Sequence, residues 1–232
     1  MKKSIATVLV AFGFFMSAFV TSSAMAGGWA MGVIGSGAHF STKGTETDSG
    51  DNRNNSGEKD ANVLYGSIFL EYTHGDEYAM TFGVSYSPFQ SVIGSGARSD
   101  TTTAAEEDSQ DDGTYTAKAR VSSHATIYIE PTMMTSDSFG VYLKGGVARA
   151  MVDSLEKIAI GEDSSVYGNE AVNGLLYGIG VKGVYDNGIF FKLEGVGINY
   201  GTVRMSSETG NKNIIEAKPK QAAVRLAIGY RF

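Results

Sequence analysis

The segment Val224-Arg225-Leu226-Ala227-Ile228-Gly229-Tyr230-Arg231-Phe232 alternates apolar with polar or small residues and closes on an aromatic ring. Successive side chains leave opposite faces of a strand, so Val224, Leu226, Ile228, Tyr230 and Phe232 make one greasy face. Arg225, Ala227, Gly229 and Arg231 make the other. A soluble sheet would turn the arginines to water. A membrane-spanning sheet turns the greasy face to lipid and the arginines to a lumen.

The N-terminus favours the second arrangement. Lys2 and Lys3 precede an uncharged apolar run from Ile5 to Val20, followed by Ala24-Met25-Ala26. Small residues at the first and third places of that tripeptide suit signal-peptidase cleavage, so residues 1–26 read as a secretory signal peptide and the mature chain begins at Gly27. The run is shorter than the about 20 residues a spanning helix needs.

Removal of the signal takes away two lysines and no acid, moving the formal charge from −6 toward about −8. An acidic surface repels phosphate backbones, which excludes nucleic acid as an expected partner. The chain has no cysteine, hence no disulfide framework, thiol nucleophile or Cys-ligated metal. Thirty glycines and only three prolines suit curved, uninterrupted strands.

Alternating segments follow one another with connections that are in turn long and short. A first strand runs from Gly28 to about Phe40 with Trp29, Met31 and Val33 on one face, and its phase blurs at Ile34. The second places Leu64, Ile68, Leu70 and Tyr72 on lipid, and Tyr65, Ser67, Phe69, Glu71 and Thr73 inside. The third sets Tyr78, Met80, Phe82, Val84 and Tyr86 against Ala79, Thr81, Gly83, Ser85 and Ser87. In the fourth, Val121, Ala125, Ile127 and Ile129 face lipid; Arg120, Ser122, His124, Thr126, Tyr128 and Glu130 face inward. The fifth alternates Val141, Leu143 and Val147 with Tyr142, Lys144, Gly146 and Ala148, and the sixth turns Leu175, Tyr177, Ile179 and Val181 outward. The seventh begins with Ile189, Phe191 and Leu193, with room for a bulge at Gly195 and Gly197. Short turns fall at His74–Glu77, Thr135–Ser138 and Asp186–Gly188. Long polar loops fall near 41–61, 91–116, 153–172 and 203–219.

Eight strands, three tight turns and four long loops predict an all-β, transmembrane, antiparallel up-and-down β-barrel over 27–232. The even count puts both termini in the periplasm, and Tyr72, Tyr78, Tyr185, Tyr230 and Phe232 become girdle aromatics at that interface. With its signal peptide, strand rhythm and the ending Tyr230-Arg231-Phe232, the chain resembles the small eight-stranded bacterial outer-membrane proteins of the OmpA/OmpX-type, opacity-protein-like group. The resemblance implies residence in the bacterial outer membrane among lipid and lipopolysaccharide. It also implies delivery by periplasmic chaperones to the barrel-assembly machinery, with Tyr230 and Phe232 as the assembly signal. Unlike the OmpA-type proteins themselves, the chain is not expected to carry a periplasmic domain after the barrel, so the resemblance does not imply peptidoglycan binding.

At eight strands the interior is just wide enough for side chains to fill it. Glu71, Glu130, Lys144, Lys182, Lys192 and Glu194 lie close to short turns, and Arg231 lies near the end of the last strand, so together they predict one lumenal charge layer. Mixed signs permit mutual neutralisation, which reads as a plug. A gated ion path is the sharper alternative.

Ser122, His124 and Glu130 share a predicted face and have the residue types of a hydrolytic triad. At about 3.3 Å per residue, however, Glu130 lies roughly 20 Å from His124. Barrel lipid A deacylases also use serine and histidine, but on the membrane side, and no local motif matches. No catalytic residue, cofactor or metal is therefore expected. His39 and His74 stand alone. Asp48, Asp51 and Glu58, and Glu106, Glu107, Asp108, Asp111 and Asp112, offer hard oxygens but not EF-hand spacing.

The expected function is that of a non-enzymatic surface protein supporting envelope integrity, with adhesion or host contact through an extracellular ligand of its loops. The alternative is a narrow channel for small or hydrophobic solutes, OmpW-like, for which inward Gly178, Gly180 and Gly229 would leave room. A lipid-modifying barrel enzyme is the third reading.

Overall fold

A computed structural model of the protein describes residues 27–47, 54–88, 90–100, 113–157, 167–206 and 214–232. Residues 1–26, read from the sequence as a signal peptide, and the acids Asp48, Asp51, Glu106, Glu107, Asp108, Asp111 and Asp112 lie outside them. Nearly every described residue is in a strand: β1 (Gly27–Thr47), β2 (Asn54–His74), β3 (Tyr78–Ser87), β4 (Ser91–Asp100), β5 (Gly113–Ser136), β6 (Phe139–Lys157), β7 (Asn169–Val184), β8 (Ile189–Tyr200), β9 (Val203–Ser206) and β10 (Ile214–Arg231).

All pairings are antiparallel, and β1 pairs with β10 from Ala30↔Arg231 to Thr47↔Ile214, closing the sheet into a barrel. Ten segments make eight staves. β3 and β4 lie end to end along β5, interrupted near Pro88, which has no N–H to give the ladder. β8 and β9 lie end to end along β10, interrupted at Gly201-Thr202.

Gly27, Phe232 and the three short turns share one end of the barrel. Gly27 pairs with His74, the Phe232 N–H donates to Trp29 O at 2.9 Å, and the Arg231 N–H donates to Gly188 O at 2.9 Å. Gly75 and Gly188 take φ of 93° and 86° in two of these turns, conformations that a side chain would strain.

The polarity is inside out. Leu64 is 87% exposed and Ile179 64%, whereas Lys192 and Glu130 are each 1% exposed. Val224, Leu226, Ile228 and Tyr230 face outward along β10 while Arg225, Ala227 and Gly229 are buried. A soluble sandwich or barrel could not hold this arrangement, because burying charge while exposing aliphatic rows is stable only with lipid outside. Exposed Tyr78, Tyr185, Tyr230 and Phe232 ring the turn end, and half-buried Tyr72 packs on Trp29 with centroids 5.1 Å apart.

Four expectations need correction. The segments read as loops are partly strand: β1 and β2 remain paired out to Thr47↔Asn54, β4 occupies 91–100, β6 and β7 pair out to Asp153↔Asn169, and β9 and β10 pair beyond Val203. Their Ser, Thr, Asn and Asp side chains suit strands that stand in water rather than lipid. Val121 is buried in the interior and not on lipid, because the β5–β6 register shifts between Val121 and Ser123. Ile34 is an apolar residue on the lumen face, so β1 keeps its phase. No bulge forms at Gly195 or Gly197, since β8 stays in register with both neighbours.

Candidate functional site

The lumen is the candidate site, and alternating β-geometry builds it. β2 contributes Glu71, β5 Glu130, β6 Lys144, β8 Lys192 and Glu194, and β10 Arg225, all buried. Lys192 Nζ contacts Glu71 and lies 2.6 Å from Glu130 Oε2. Lys144 Nζ bridges Glu130 Oε1 at 2.9 Å and Glu194 Oε2 at 2.5 Å, and the Arg225 guanidinium faces Glu194 Oε1 at 3.7 Å. Three carboxylates and three cations thus alternate across the barrel. The β5–β6 ladder lapses at Glu130 and Pro131, where Pro131 has no N–H to donate, and the Glu130–Lys144 ion pair spans the lapse.

Tyrosines extend the network. Tyr128 OH donates to Glu71 at 2.8 Å and Tyr142 OH to Glu194 at 2.9 Å. Toward the loop end, Arg225 donates to Tyr65 OH at 3.2 Å, Gln221 Nε2 meets Tyr65 OH at 2.6 Å, and Tyr200 OH donates to Gln221 Oε1 at 3.1 Å. His124 Nε2 lies 2.9 Å from the same Tyr200 hydroxyl. A continuous polar column therefore runs from Glu71 to His124, wedged between apolar clusters. One contains Ile34, Phe69 and Phe190; the other contains Phe40, Leu176, Val196 and Ile198.

Two residues read into the charge layer behave differently. Lys182 is buried directly opposite Lys192, but its ammonium turns over the Phe190 ring, 4.8 Å from the centroid, and has no carboxylate within 4 Å among the described residues. Arg231 is exposed, beyond the mouth of the lumen. Arg225 fills the cationic place instead. Level inside a staggered barrel follows register between strands rather than distance from a turn along one strand, and Arg225 pairs with Glu194 while Arg231 pairs with Ala30.

Inward glycines do not open a channel. A Cβ at Gly180 would lie 2.5 Å from the Tyr142 ring, one at Gly229 2.5 Å from Phe190, and one at Gly178 2.8 Å from Val196. Gly83 lies equally close under the Tyr128 ring. Each gap is the seat of a neighbouring large side chain, so the lumen is packed.

The triad residues do not converge. His124 points to Tyr200, Glu130 to the lysines, and Ser122 donates to Asp153 Oδ1 at 3.1 Å. Arg120 Nη2 holds the other Asp153 oxygen at 3.0 Å, so the register shift in β5 makes a structural cluster here that the period-2 pattern could not show. His39 does not stand alone: its Nδ1 lies 2.9 Å from Asn62 Oδ1 across the β1–β2 ladder. Glu58 pairs with Lys43 at 3.4 Å. No group of three or more His, Asp or Glu among the described residues could hold a metal ion.

No protein-family model matches the chain, and no curated protein does. Among solved structures, the chain is similar to Ail, the attachment invasion locus protein of Yersinia pestis, in complex with the heparin analogue sucrose octasulfate. That match has 10% identity over 88% of this chain and 99% of that one, with a TM-score of 0.42. The translocator domain of autotransporter NalP from Neisseria meningitidis matches at 14% identity over 99% and 98% of the two chains, with a TM-score of 0.34. A Pseudomonas aeruginosa FadL homologue matches at 7% identity over 88% and 90%, with a TM-score of 0.27.

Proposed function

We propose that the chain is a non-enzymatic outer-membrane surface barrel, sealed through its middle, that presents long strand hairpins outside the cell and contributes to envelope integrity and adhesion or host contact. The observation that carries this reading is the continuous Glu71–Lys192–Glu130–Lys144–Glu194–Arg225 ion-pair chain inside a shell of exposed aliphatic residues. A lumen filled at its centre supports an anchor over a channel. Ser122, His124 and Glu130, held apart by different partners, give no support to hydrolysis.

In this reading the termini and short turns lie in the periplasm, where chaperones and the assembly machinery engage Tyr230 and Phe232. The paired extensions of β1, β2, β5 and β6 carry the outer ligand surface. Because the chain lacks cysteine, Ser56→Cys in the β1–β2 hairpin and Ser138→Cys in a short turn provide a topology test. A membrane-impermeant maleimide should label the first and spare the second on intact cells; the reverse pattern would overturn the orientation. A deletion strain should become sensitive to detergent and lose attachment to matrix-coated surfaces. Unchanged behaviour on both counts would overturn the functional reading.

A further inference from the structure

The outer wall of β1 and β10 carries lysines in an arrangement that internal packing does not explain. Lys43 on β1 lies directly opposite Lys218 on β10, and Ser41 lies opposite Lys220. All three lysines are exposed. Like charges directly opposite on neighbouring strands repel. Acids stand near: Glu58 pairs with Lys43 at 3.4 Å, Asp60 faces His39 at 3.8 Å, and Glu216 pairs with Arg204 at 3.5 Å. Lys218 and Lys220 have no carboxylate within 4 Å among the described residues.

Their height matters. From Phe232 to Ala222 the outward residues of β10 are Tyr230, Ile228, Leu226, Val224 and Ala222. Ten residues at about 3.4 Å each, tilted about 40°, rise about 26 Å, close to the height of a barrel's apolar band. Lys220 is the next outward residue, so it stands where lipid headgroups begin.

Below the lysines the wall is hollow. Gly35 and Gly37 face outward on β1 between Leu64 of β2 and Val224 and Leu226 of β10. A Cβ at Gly35 would meet only the Leu226 carbonyl at 4.0 Å, and one at Gly37 only Leu64 Cδ2 at 3.6 Å. The trough is one strand wide and leads up toward Lys43 and Lys220.

We propose that this wall is a docking site for a phosphate-bearing lipid of the leaflet at the loop end, with its phosphate on Lys218, Lys220 and Lys43 and an acyl chain along Gly35 and Gly37. Charge complementarity at headgroup height, above a chain-wide apolar trough, selects an anionic lipid over a soluble anion or a protein. The site rests on the reading of the exposed aliphatic band as membrane-embedded. Refolding into vesicles, followed by the heat-sensitive gel mobility of a closed barrel, checks that reading separately.

The test measures binding of diphosphoryl lipid A, and of the same lipid after phosphatase treatment, to the mature barrel in neutral detergent by native mass spectrometry. Lipid A should bind saturably and the dephosphorylated lipid at least about tenfold more weakly. Lys218→Gln with Lys220→Gln should weaken lipid A by at least about tenfold, and Gly37→Leu should weaken it without altering gel mobility. Lys118→Gln on β5, away from the patch, should change nothing. Millimolar inorganic phosphate should fail to displace the lipid. Equal binding of the two lipids, no effect of the double lysine variant, an equal loss with Lys118→Gln, or full displacement by phosphate would each overturn the proposal.

Discussion

Lys192 and Glu130 are 62 positions apart in sequence, and their side chains meet at 2.6 Å in the middle of the barrel. Lys192 is also the cation that reaches Glu71. Removing one partner of a buried pair leaves an uncompensated charge, at a cost of about 3–5 kcal/mol. Lys192→Met should therefore destabilise the barrel by about that amount in urea titrations from vesicles. Adding Glu71→Gln should recover part of the loss, because it removes one orphaned carboxylate. A loss under about 1 kcal/mol for Lys192→Met would contradict a water-poor lumen.

Gly83 faces the lumen, whereas Gly145, between exposed Leu143 and Val147, lies on the outward face. A Cβ at Gly83 would fall 2.4 Å from the Tyr128 ring, whereas one at Gly145 meets nothing within 4 Å. Gly83→Ala should cost about 1–3 kcal/mol through overpacking, and Gly145→Ala should stay within about 0.5 kcal/mol of the native barrel. Equal effects in the same urea titration would refute the packed-lumen account.

Leu226 lies near the middle of the outward row of β10 and is 53% exposed. Leu226→Arg should destabilise by about 2–4 kcal/mol, the depth-dependent effect of a cation at the bilayer midplane. Lys220→Arg, at headgroup height, should be neutral. If Leu226→Arg were silent in vesicle-refolded protein, the membrane face would be misassigned.

Ser122 and His124 provide a chemical control. Ser122→Ala deletes one hydrogen bond to Asp153, and His124→Ala removes one of the two partners of the Tyr200 hydroxyl, leaving Gln221. Each should cost about 1 kcal/mol in stability and leave the mass profile of envelope lipids unchanged. A shift in lipid acylation with either variant would revive the enzymatic reading.

The period-2 pattern carried most of the fold, because a one-residue slip would exchange lipid and lumen faces and the pattern forbids it. It assigned Leu226 and Arg225 to opposite faces, and it brought Glu71, Glu130, Lys144, Lys192 and Glu194 to the lumen side of four strands. Three features are not written in that pattern. The bulge after Val121 leaves no mark in a run of serines, and it sends Ser122 to Asp153. Placing Arg225 beside Glu194 requires the stagger between strands, which a single strand does not encode. The glycines Gly178, Gly180 and Gly229 read as vacancies until the rings and branches that fill them come from other strands. Polar runs such as 41–47 read as loop because strand propensity is weak there, yet pairing with β2 and β10 continues through them.

The central claim is that the barrel is sealed, and planar-bilayer conductance of refolded residues 27–232 tests it most directly. The native protein should carry no stable current, and neither should Lys182→Ala, since that ammonium lies outside the ion-pair network. Discrete, reproducible channel openings from the native barrel would contradict the account and make the Glu130–Lys192 pair a gate rather than a plug.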